Sequence, residues 1–332
     1  MNRSLLVTTL SAAALFASAA GLPACSSDSS APPPSQGTTT GGTGSSGADP
    51  TTETPPEKTP ATTTSPAEAE WVPPVVPTTS PACGTARADA VHADFTTPKG
   101  RTFHVWGPQG YDPNKTYPVV MVFHGIQSSG EGHEDWFKME SYTNNEAFVV
   151  YPDAAGANAY WDIKGDSDLL FFDEMVKQLG ETYCIDPSRV LGYGFSYGGY
   201  FADHLGCKRA GYVKAIAIGE GGTGGHAQCG RLPVLVTTRT HDPDEPPSHG
   251  VNAESAWAST DACGAAGANA SQTDPSNGED MGYCRVHASC RSPGSLTYCE
   301  DTSFDAGWPK DWNHTVREYY RTYTYKWFKG LP

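Results

Sequence analysis

The sequence predicts an α/β domain with a mostly parallel central sheet and helices on both of its faces. Five apolar runs lack the polar alternation of a half-exposed strand, which is typical of strands covered on both faces; they are PVVMVFHG (118–125), AFVVYPD (147–153), RVLGYGF (189–195), YVKAIAIG (212–219) and LPVLVTT (232–238). Residues 168–183 place apolar side chains at helical spacing, with Asp168 as the expected N-terminal cap. Strands that alternate with helices favour parallel pairing through crossover connections.

Further segments complete the predicted domain, which is expected to span residues 82–332 around a single core. RTFHVW (101–106) alternates like an early strand, and the aromatic-rich stretch EYYRTYTYKWF near the C terminus predicts a final helix. Residues 263–299 are rich in Gly, Ser, Asn and Cys and show little periodicity. We interpret this stretch as a disulfide-rich insertion or lid.

Residues 1–24 are predicted to be an export signal. The apolar stretch after Arg3 is too short to span a bilayer as a stable helix and is followed by small residues. The sequence LPAC resembles the lipobox of bacterial lipoproteins, so Cys25 is expected to carry a lipid, with a plain secretory signal as the alternative. Residues 25–81 consist mainly of Ser, Thr, Pro and Gly, which predicts a disordered tether. The protein is therefore expected outside the cell, either anchored to its surface through the lipid or secreted.

Charge and cysteine content narrow the range of partners. The net charge of -15 argues against a nucleic-acid partner, because such proteins need a basic face. Besides Cys25 there are eight cysteines, and an even number in an exported chain predicts up to four disulfides whose pairing stays open. Cys284, His287 and Cys290 could alternatively be metal ligands. Export favours disulfides, and we expect neither a metal nor a cofactor.

A serine among glycines follows the third apolar run. The pentapeptide Gly194-Phe195-Ser196-Tyr197-Gly198 reads G-x-S-x-G and lies between a predicted strand and a predicted helix, as in the nucleophile elbow of α/β-hydrolases. A serine hydroxyl becomes a useful nucleophile only beside a base and oxyanion donors. A dinucleotide-binding G-x-G-x-x-G fails because Tyr197 occupies its third glycine position. A packing turn with an idle serine is the structural alternative.

The oxyanion hole is expected from two backbone amides. One belongs to Tyr197, directly after the serine, and the other to the loop after the first apolar run, where Ile126 is the first choice and Gln127 the alternative. His124 ends that run, and we expect it to hold the loop by a hydrogen bond rather than to act as a base.

The acid and the base are expected to follow the serine in that order. Asp242 lies just past the carboxyl end of the fifth apolar run, where such sheets place their sites, and Asp244 is the alternative acid. Three histidines follow, of which His249 is close in sequence to the acid and His287 lies between cysteines. His314, in a loop before the final helix, is the predicted base.

These segments resemble the secreted feruloyl esterase and polyhydroxybutyrate depolymerase-like family of α/β-hydrolases. The resemblance rests on CGT at Cys83, GYDPNKTYPVVMVFHG, VVYPD followed by Trp161, YCIDPSRVLGYGFSYGGYFADHLGC, and Asp242 four residues before Pro246. It implies the α/β-hydrolase fold, Ser196 as nucleophile, Asp242 as acid and an oxyanion loop around Ile126. It also implies cofactor-free cleavage of esters on plant cell-wall polysaccharides, of polyesters or of acetyl esters.

The sequence departs from the family pattern at the histidine. The family usually carries F-D-G-G-H, and the matching run here ends in Trp308, so His314 must supply the base. The strand before Asp242 ends in Thr238-Arg239, where the family usually has His-Gly.

The predicted function is that of an exported serine carboxylesterase acting on feruloyl or acetyl esters of plant polysaccharides. A polyester depolymerase is one alternative. A non-catalytic polysaccharide-binding lipoprotein is another, with Trp161, Trp308 and Trp312 as the aromatic side chains that contact substrate in either case.

Overall fold

The structure, a computed structural model, describes residues 79–87, 92–156, 158–304 and 313–332. The predicted export signal, Cys25, nearly all of the tether, Trp308 and Trp312 lie outside these residues. Ser80, two residues before the predicted start of the domain, is buried. Its hydroxyl lies 2.9 Å from the carbonyl oxygen of Gly180 and 2.5 Å from that of Tyr183, which ties this part of the chain to the domain.

Ten strands form one sheet in the described part of the chain. In chain order they are β1 (His92–Thr96), β2 (Thr102–Trp106), β3 (Tyr117–Phe123), β4 (Phe148–Pro152), β5 (Ile185–Phe195), β6 (Ala215–Gly219), β7 (Pro233–Arg239), β8 (Ala270–Thr273), β9 (Asp280–Val286) and β10 (Ser295–Asp301). Their order in space is β1-β2-β4-β3-β5-β6-β7-β10-β9-β8. The six strands from β4 to β10 in this order pair in parallel, and the outer strands pair antiparallel.

Helices cover both faces of this sheet, as predicted. They are α1 (Gly130–Phe137), α2 (Ser167–Thr182), α3 (Tyr197–Arg209), α4 (Pro247–Thr260) and α5 (Glu318–Lys329). Alternate residues of β3 enter two separate apolar clusters, because successive side chains of a strand point to opposite faces. One cluster includes side chains of α2, α3 and α4, and the other includes side chains of α1 and α5. Each large side chain buried there contributes about 1.5–3 kcal/mol.

The cysteine-rich stretch from 263 to 299 differs from its interpretation as an irregular insertion. It contains β8, β9 and β10, which continue the sheet beyond β7. β10 pairs in parallel with β7 along its full length and is largely buried. Little in the sequence indicates these strands, because their stability comes from pairing with distant partners and β8 is short, polar and mostly exposed.

Four disulfides join the eight cysteines of the domain. The pairs are Cys83–Cys184, Cys207–Cys229, Cys263–Cys290 and Cys284–Cys299. The first closes a loop with a sequence separation of 101 residues, for which loop entropy predicts a stabilisation of about 4–5 kcal/mol. Cys284 and Cys290 belong to different disulfides, so they are not free to act with His287 as metal ligands.

Asp168 does not cap α2. The N-cap position is Asp166, whose side chain makes no capping hydrogen bond. Asp168 lies in the first turn, where its buried carboxylate accepts from Arg101 (2.7 Å) and from the amide of Asp162 (2.5 Å). The predicted cap was therefore wrong by two residues, because an ion pair with Arg101, just before β2, holds Asp168 inside the helix. Among the described residues, none of the helices is both long and apolar enough to cross a membrane.

Candidate active site

Ser196 occupies a strained turn between β5 and α3. Its backbone angles, φ 54° and ψ -124°, lie in a region that residues other than glycine rarely adopt, and such strain is concentrated at functional sites. The turn is possible only because its neighbours lack side chains. A Cβ on Gly194 would lie 1.9 Å from the carbonyl oxygen of Gly198, and one on Gly198 would lie 2.1 Å from that of Phe123. The strand and the helix thus approach closely and hold the serine at the end of the sheet.

His314 bridges Ser196 and Asp242. Its Nε2 lies 2.8 Å from the Ser196 Oγ, and its Nδ1 lies 2.7 Å from the Asp242 Oδ2. A carboxylate only accepts hydrogen bonds, so Nδ1 carries the proton and Nε2 is free to accept the serine proton. The ring of Phe195 packs against the imidazole, with centroids 4.8 Å apart. The three predicted side chains therefore form one continuous hydrogen-bonded row.

The acid loop brings Asp242, and not Asp244, to the histidine. The carboxylate of Asp242 is fully buried, and its second oxygen, Oδ1, accepts from the amides of Asp244 and Glu245 at 2.9 Å each. These two amides fix the orientation of the carboxylate. The side chain of Asp244 is exposed, and this residue contributes its backbone amide to the site.

The other histidines considered as bases have partners elsewhere. His249 Nδ1 lies 2.6 Å from Glu245 Oε2, and His287 Nε2 lies 2.8 Å from Glu254 Oε1. His124 Nε2 accepts from the amide of Ala154, which leaves Nδ1 to donate to the carbonyl oxygen of Gly125 at 2.6 Å. Burial lowers the pKa of His124, so the ring stays neutral and holds the loop after β3.

The loop after β3 lies directly against the nucleophile. A Cβ on Gly125 would lie 3.3 Å from the Ser196 Cβ, so the next amide, that of Ile126, is close to the serine. The amide of Gln127 donates to the carbonyl oxygen of Asn158 at 3.3 Å and is engaged in the fold. Tyr197 is the first residue of α3, so its amide has no acceptor within the helix. Ile126 and Tyr197 thus remain the predicted oxyanion donors.

Comparison with known proteins adds independent information on the fold and the family. No family model matches the sequence. The chain is similar to a probable feruloyl esterase C of Aspergillus terreus, with 28% identity over 172 residues that cover 49% of this chain and 63% of the relative. It is also similar to feruloyl esterase C of Emericella nidulans, with 27% identity over 198 residues that cover 57% of this chain and 72% of the relative.

A solved structure shares the same fold. The acetyl xylan esterase from Aspergillus awamori matches with a TM-score of 0.54 at 13% identity, over 72% of this chain and 98% of that one. The chain therefore has the α/β-hydrolase fold and is similar in sequence to feruloyl esterases. The predicted fold class is confirmed, including the parallel sheet with helices on both faces. The matched region spans less than two thirds of the Aspergillus terreus relative.

Trp161 does not contact substrate in this α/β-hydrolase. Its side chain is 1% exposed and packs against the rings of Phe123 and Phe201, with centroids 5.3 and 5.0 Å away. Its Nε1 donates to the carbonyl oxygen of His124 at 2.8 Å. The sequence alone does not distinguish an aromatic side chain of the core from one at the surface, and Trp161 belongs to the core. Trp161 instead supports the loop that carries Ile126.

Glu220 is a buried acidic residue beside the site. It was not among the residues predicted from the sequence. It follows β6 with a positive φ of 46°, and its amide donates to the carbonyl oxygen of Thr237. Its side chain is buried, and Oε2 has no hydrogen-bond partner among the described residues. Burial, followed by the charges of Asp242 and Asp301, raises its pKa well above the ordinary value. An acid directly after a buried parallel strand is the same signal that pointed to Asp242.

Glu220→Gln should make the stability of the folded protein less sensitive to rising pH. The pKa of Glu220 is raised in the folded state, whereas the unfolded chain ionises it near its ordinary pKa of 4.5, so its favourable contribution is complete below that pH and is lost as pH rises toward the folded-state pKa. Between these two pKa values the unfolding free energy of the native protein should fall relative to that of the variant by about 1.4 kcal/mol per pH unit. Denaturant titrations from pH 4 to pH 8 measure this difference. Asp135→Asn, on the exposed side of α1, is the control, and parallel curves for the native protein and Glu220→Gln would contradict the assignment.

Two groups of side chains place potential metal ligands within 4.8 Å of one another among the described residues. The first consists of Cys207, His226 and Cys229, and its two cysteines are joined in a disulfide. The second consists of Asp242, Asp244 and His314, in which His314 and Asp242 already bind each other. In each group, ligand atoms are thus already engaged in other bonds.

Proposed function

We propose that this protein is an exported serine carboxylesterase that hydrolyses feruloyl or acetyl esters carried by plant polysaccharides. The observation that carries the proposal is the hydrogen-bonded row from Ser196 through His314 to Asp242, placed on a strained turn beside two oxyanion-donor candidates. This constellation performs acyl transfer when a base activates the hydroxyl and amides stabilise the oxyanion.

The reaction proceeds through an acyl-enzyme. Ser196 Oγ attacks the ester carbonyl while His314 Nε2 takes its proton, and the amides of Tyr197 and Ile126 bind the oxyanion. The C–O bond to the alcohol then breaks as His314 returns the proton to the leaving oxygen. Water repeats the sequence on the acyl-enzyme, releasing the carboxylic acid and restoring Ser196. Asp242 holds the tautomer of the imidazole and stabilises the imidazolium.

Three observations support the substrate class and the location. The two sequence relatives described above are named feruloyl esterase C and probable feruloyl esterase C. The protein carries a leader-like N terminus with a lipobox-like sequence at Cys25 and four disulfides in its domain, a combination typical of exported proteins. Its acidic character suits an uncharged ester substrate rather than a nucleic acid, and membrane attachment would come only through the lipid at Cys25.

A panel of esters tests the function. The full chain is assayed with methyl ferulate, acetylated xylan and a hydroxybutyrate oligomer, and labelled with a fluorophosphonate. Labelling of Ser196 together with turnover of the feruloyl or acetyl substrate supports the proposal. Preference for the hydroxybutyrate oligomer would make the protein a polyester depolymerase instead. Absence of labelling and turnover, with measurable glycan binding, would make it a polysaccharide-binding lipoprotein.

A further inference from the structure

A row of three tyrosines runs beside the nucleophile. The ring of Tyr160 meets that of Tyr197 edge to face with centroids 5.4 Å apart, and the ring of Tyr200 follows at 6.0 Å. Tyr160 is 45% exposed, and the other two tyrosines are partly exposed. The row therefore borders the solvent and does not serve only to fill the core.

Hydrogen bonds connect the two ends of this tyrosine row to the two loops that complete the site. At one end, the carbonyl oxygen of Asn158, two residues before Tyr160, accepts from the amide of Gln127 in the oxyanion loop. At the other end, the Tyr200 hydroxyl donates to Glu245 Oε2 at 2.9 Å, and the amide of Glu245 donates to Asp242. Tyr197 lies between these ends and directly follows Ser196, so the middle of the row lies at the nucleophile turn, where α3 begins.

The chemistry of the reaction indicates which part of an ester lies at the Tyr200 end. The leaving alcohol oxygen must face His314, since this histidine returns the proton to it. His314 is bound by Asp242, whose loop also holds Tyr200 through Glu245. One loop thus holds both His314 and Tyr200, which favours the Tyr200 end for the alcohol side of the ester; in a polysaccharide ester this side is a sugar chain.

Aromatic faces with attached hydroxyls suit a neutral sugar. The C–H face of a sugar ring packs on an aromatic ring, and the phenolic oxygens offer hydrogen bonds at the rim. Burial and the neighbouring Glu245 raise the pKa of Tyr200, so its hydroxyl stays protonated. The net charge of -15 disfavours an acidic sugar.

We propose that Tyr160, Tyr197 and Tyr200 form the subsite for the neutral sugar chain on the alcohol side of the scissile ester. This assignment rests on the proposed esterase function and extends it. It replaces the buried Trp161 with Tyr160 and Tyr200, and it gives the ring of Tyr197 a role beside that of its amide.

Paired substrates test this assignment. Tyr160→Ala should lower kcat/KM for a feruloylated arabinoxylo-oligosaccharide about tenfold more than for methyl ferulate, mainly through KM, because methyl ferulate has no sugar to lose contact with the ring. A tenfold change corresponds to about 1.4 kcal/mol of binding. Tyr160→Phe, which keeps the ring, should restore most of the loss. Leu170→Ala, at an exposed position of α2, is the matched control and should leave both substrates unchanged.

The outcomes separate this assignment from the function on which it rests. Equal loss on both substrates would overturn the sugar subsite and place the ring on the acyl side, while esterase activity would stand. No loss on either substrate would also overturn it. If the native protein hydrolyses neither substrate, the esterase proposal fails. Binding of the unesterified oligosaccharide, measured by calorimetry on the native chain and on Tyr160→Ala, then decides the subsite, and equal affinities would overturn it.

Discussion

Ser196→Ala is expected to lower kcat for methyl ferulate by about 10⁵- to 10⁶-fold, leaving only the small rate that binding and the oxyanion donors sustain. The variant removes the hydroxyl oxygen that lies 2.8 Å from His314 Nε2. The backbone of the turn is unchanged. An alanine also tolerates the strained φ no worse than serine, so the fold should persist. Steady-state kinetics and circular dichroism measure the two quantities.

A matched serine separates chemistry from folding in this experiment. Ser255 is exposed on α4, and its hydroxyl donates to the carbonyl oxygen of Val251 within the same helix. Ser255→Ala should keep full activity. Turnover by Ser196→Ala within tenfold of the native rate would show that another nucleophile acts.

Asp242→Asn should lower kcat by about 10⁴-fold, whereas Asp244→Asn should stay within about twofold of native. Oδ1 of Asp242 accepts from two backbone amides, so the oxygen of an asparagine must take that position. Its NH₂ group then faces His314 Nδ1 and forces the ring to carry its proton on Nε2. That tautomer cannot accept the proton of Ser196.

Asp244→Asn is the control for this prediction, because it changes a carboxylate only two residues away and leaves the supporting amide of residue 244 intact. Kinetics on methyl ferulate for both variants provide the comparison. Comparable losses of kcat in the two variants would mean that the negative charge of the loop matters more than the tautomer of His314.

Local pattern was sufficient to predict most of the central sheet. The runs that became β3, β4 and β7 were located to within two residues, because strands buried on both faces are apolar throughout. β5 begins at Ile185, four residues before the predicted run. Its early residues Asp186-Pro187-Ser188 are typical of turns, so the start of the strand was not predicted. β8, β9 and β10 escaped prediction because strand pairing with distant partners, and not composition, makes them strands.

The site shows the same division between local and long-range information. The nucleophile turn has a local signature, so Ser196 could be located from five residues. Asp242 was preferred over Asp244 only for its position directly after the strand, because both lie on one polar loop and the amides of the folded loop distinguish them. Trp161 was misassigned for a similar reason, since an aromatic side chain carries no local sign of whether it will face the core. The disulfide pairs likewise required the folded structure.

The three reacting side chains come from widely separated parts of the chain. His314 lies 72 positions after Asp242 and 118 after Ser196 in the chain. Under the proposed mechanism, a chain whose segment around His314 has not yet docked beside Ser196 cannot cleave esters. Appearance of turnover during refolding should consequently lag behind the formation of helical signal, making catalysis a reporter of complete assembly.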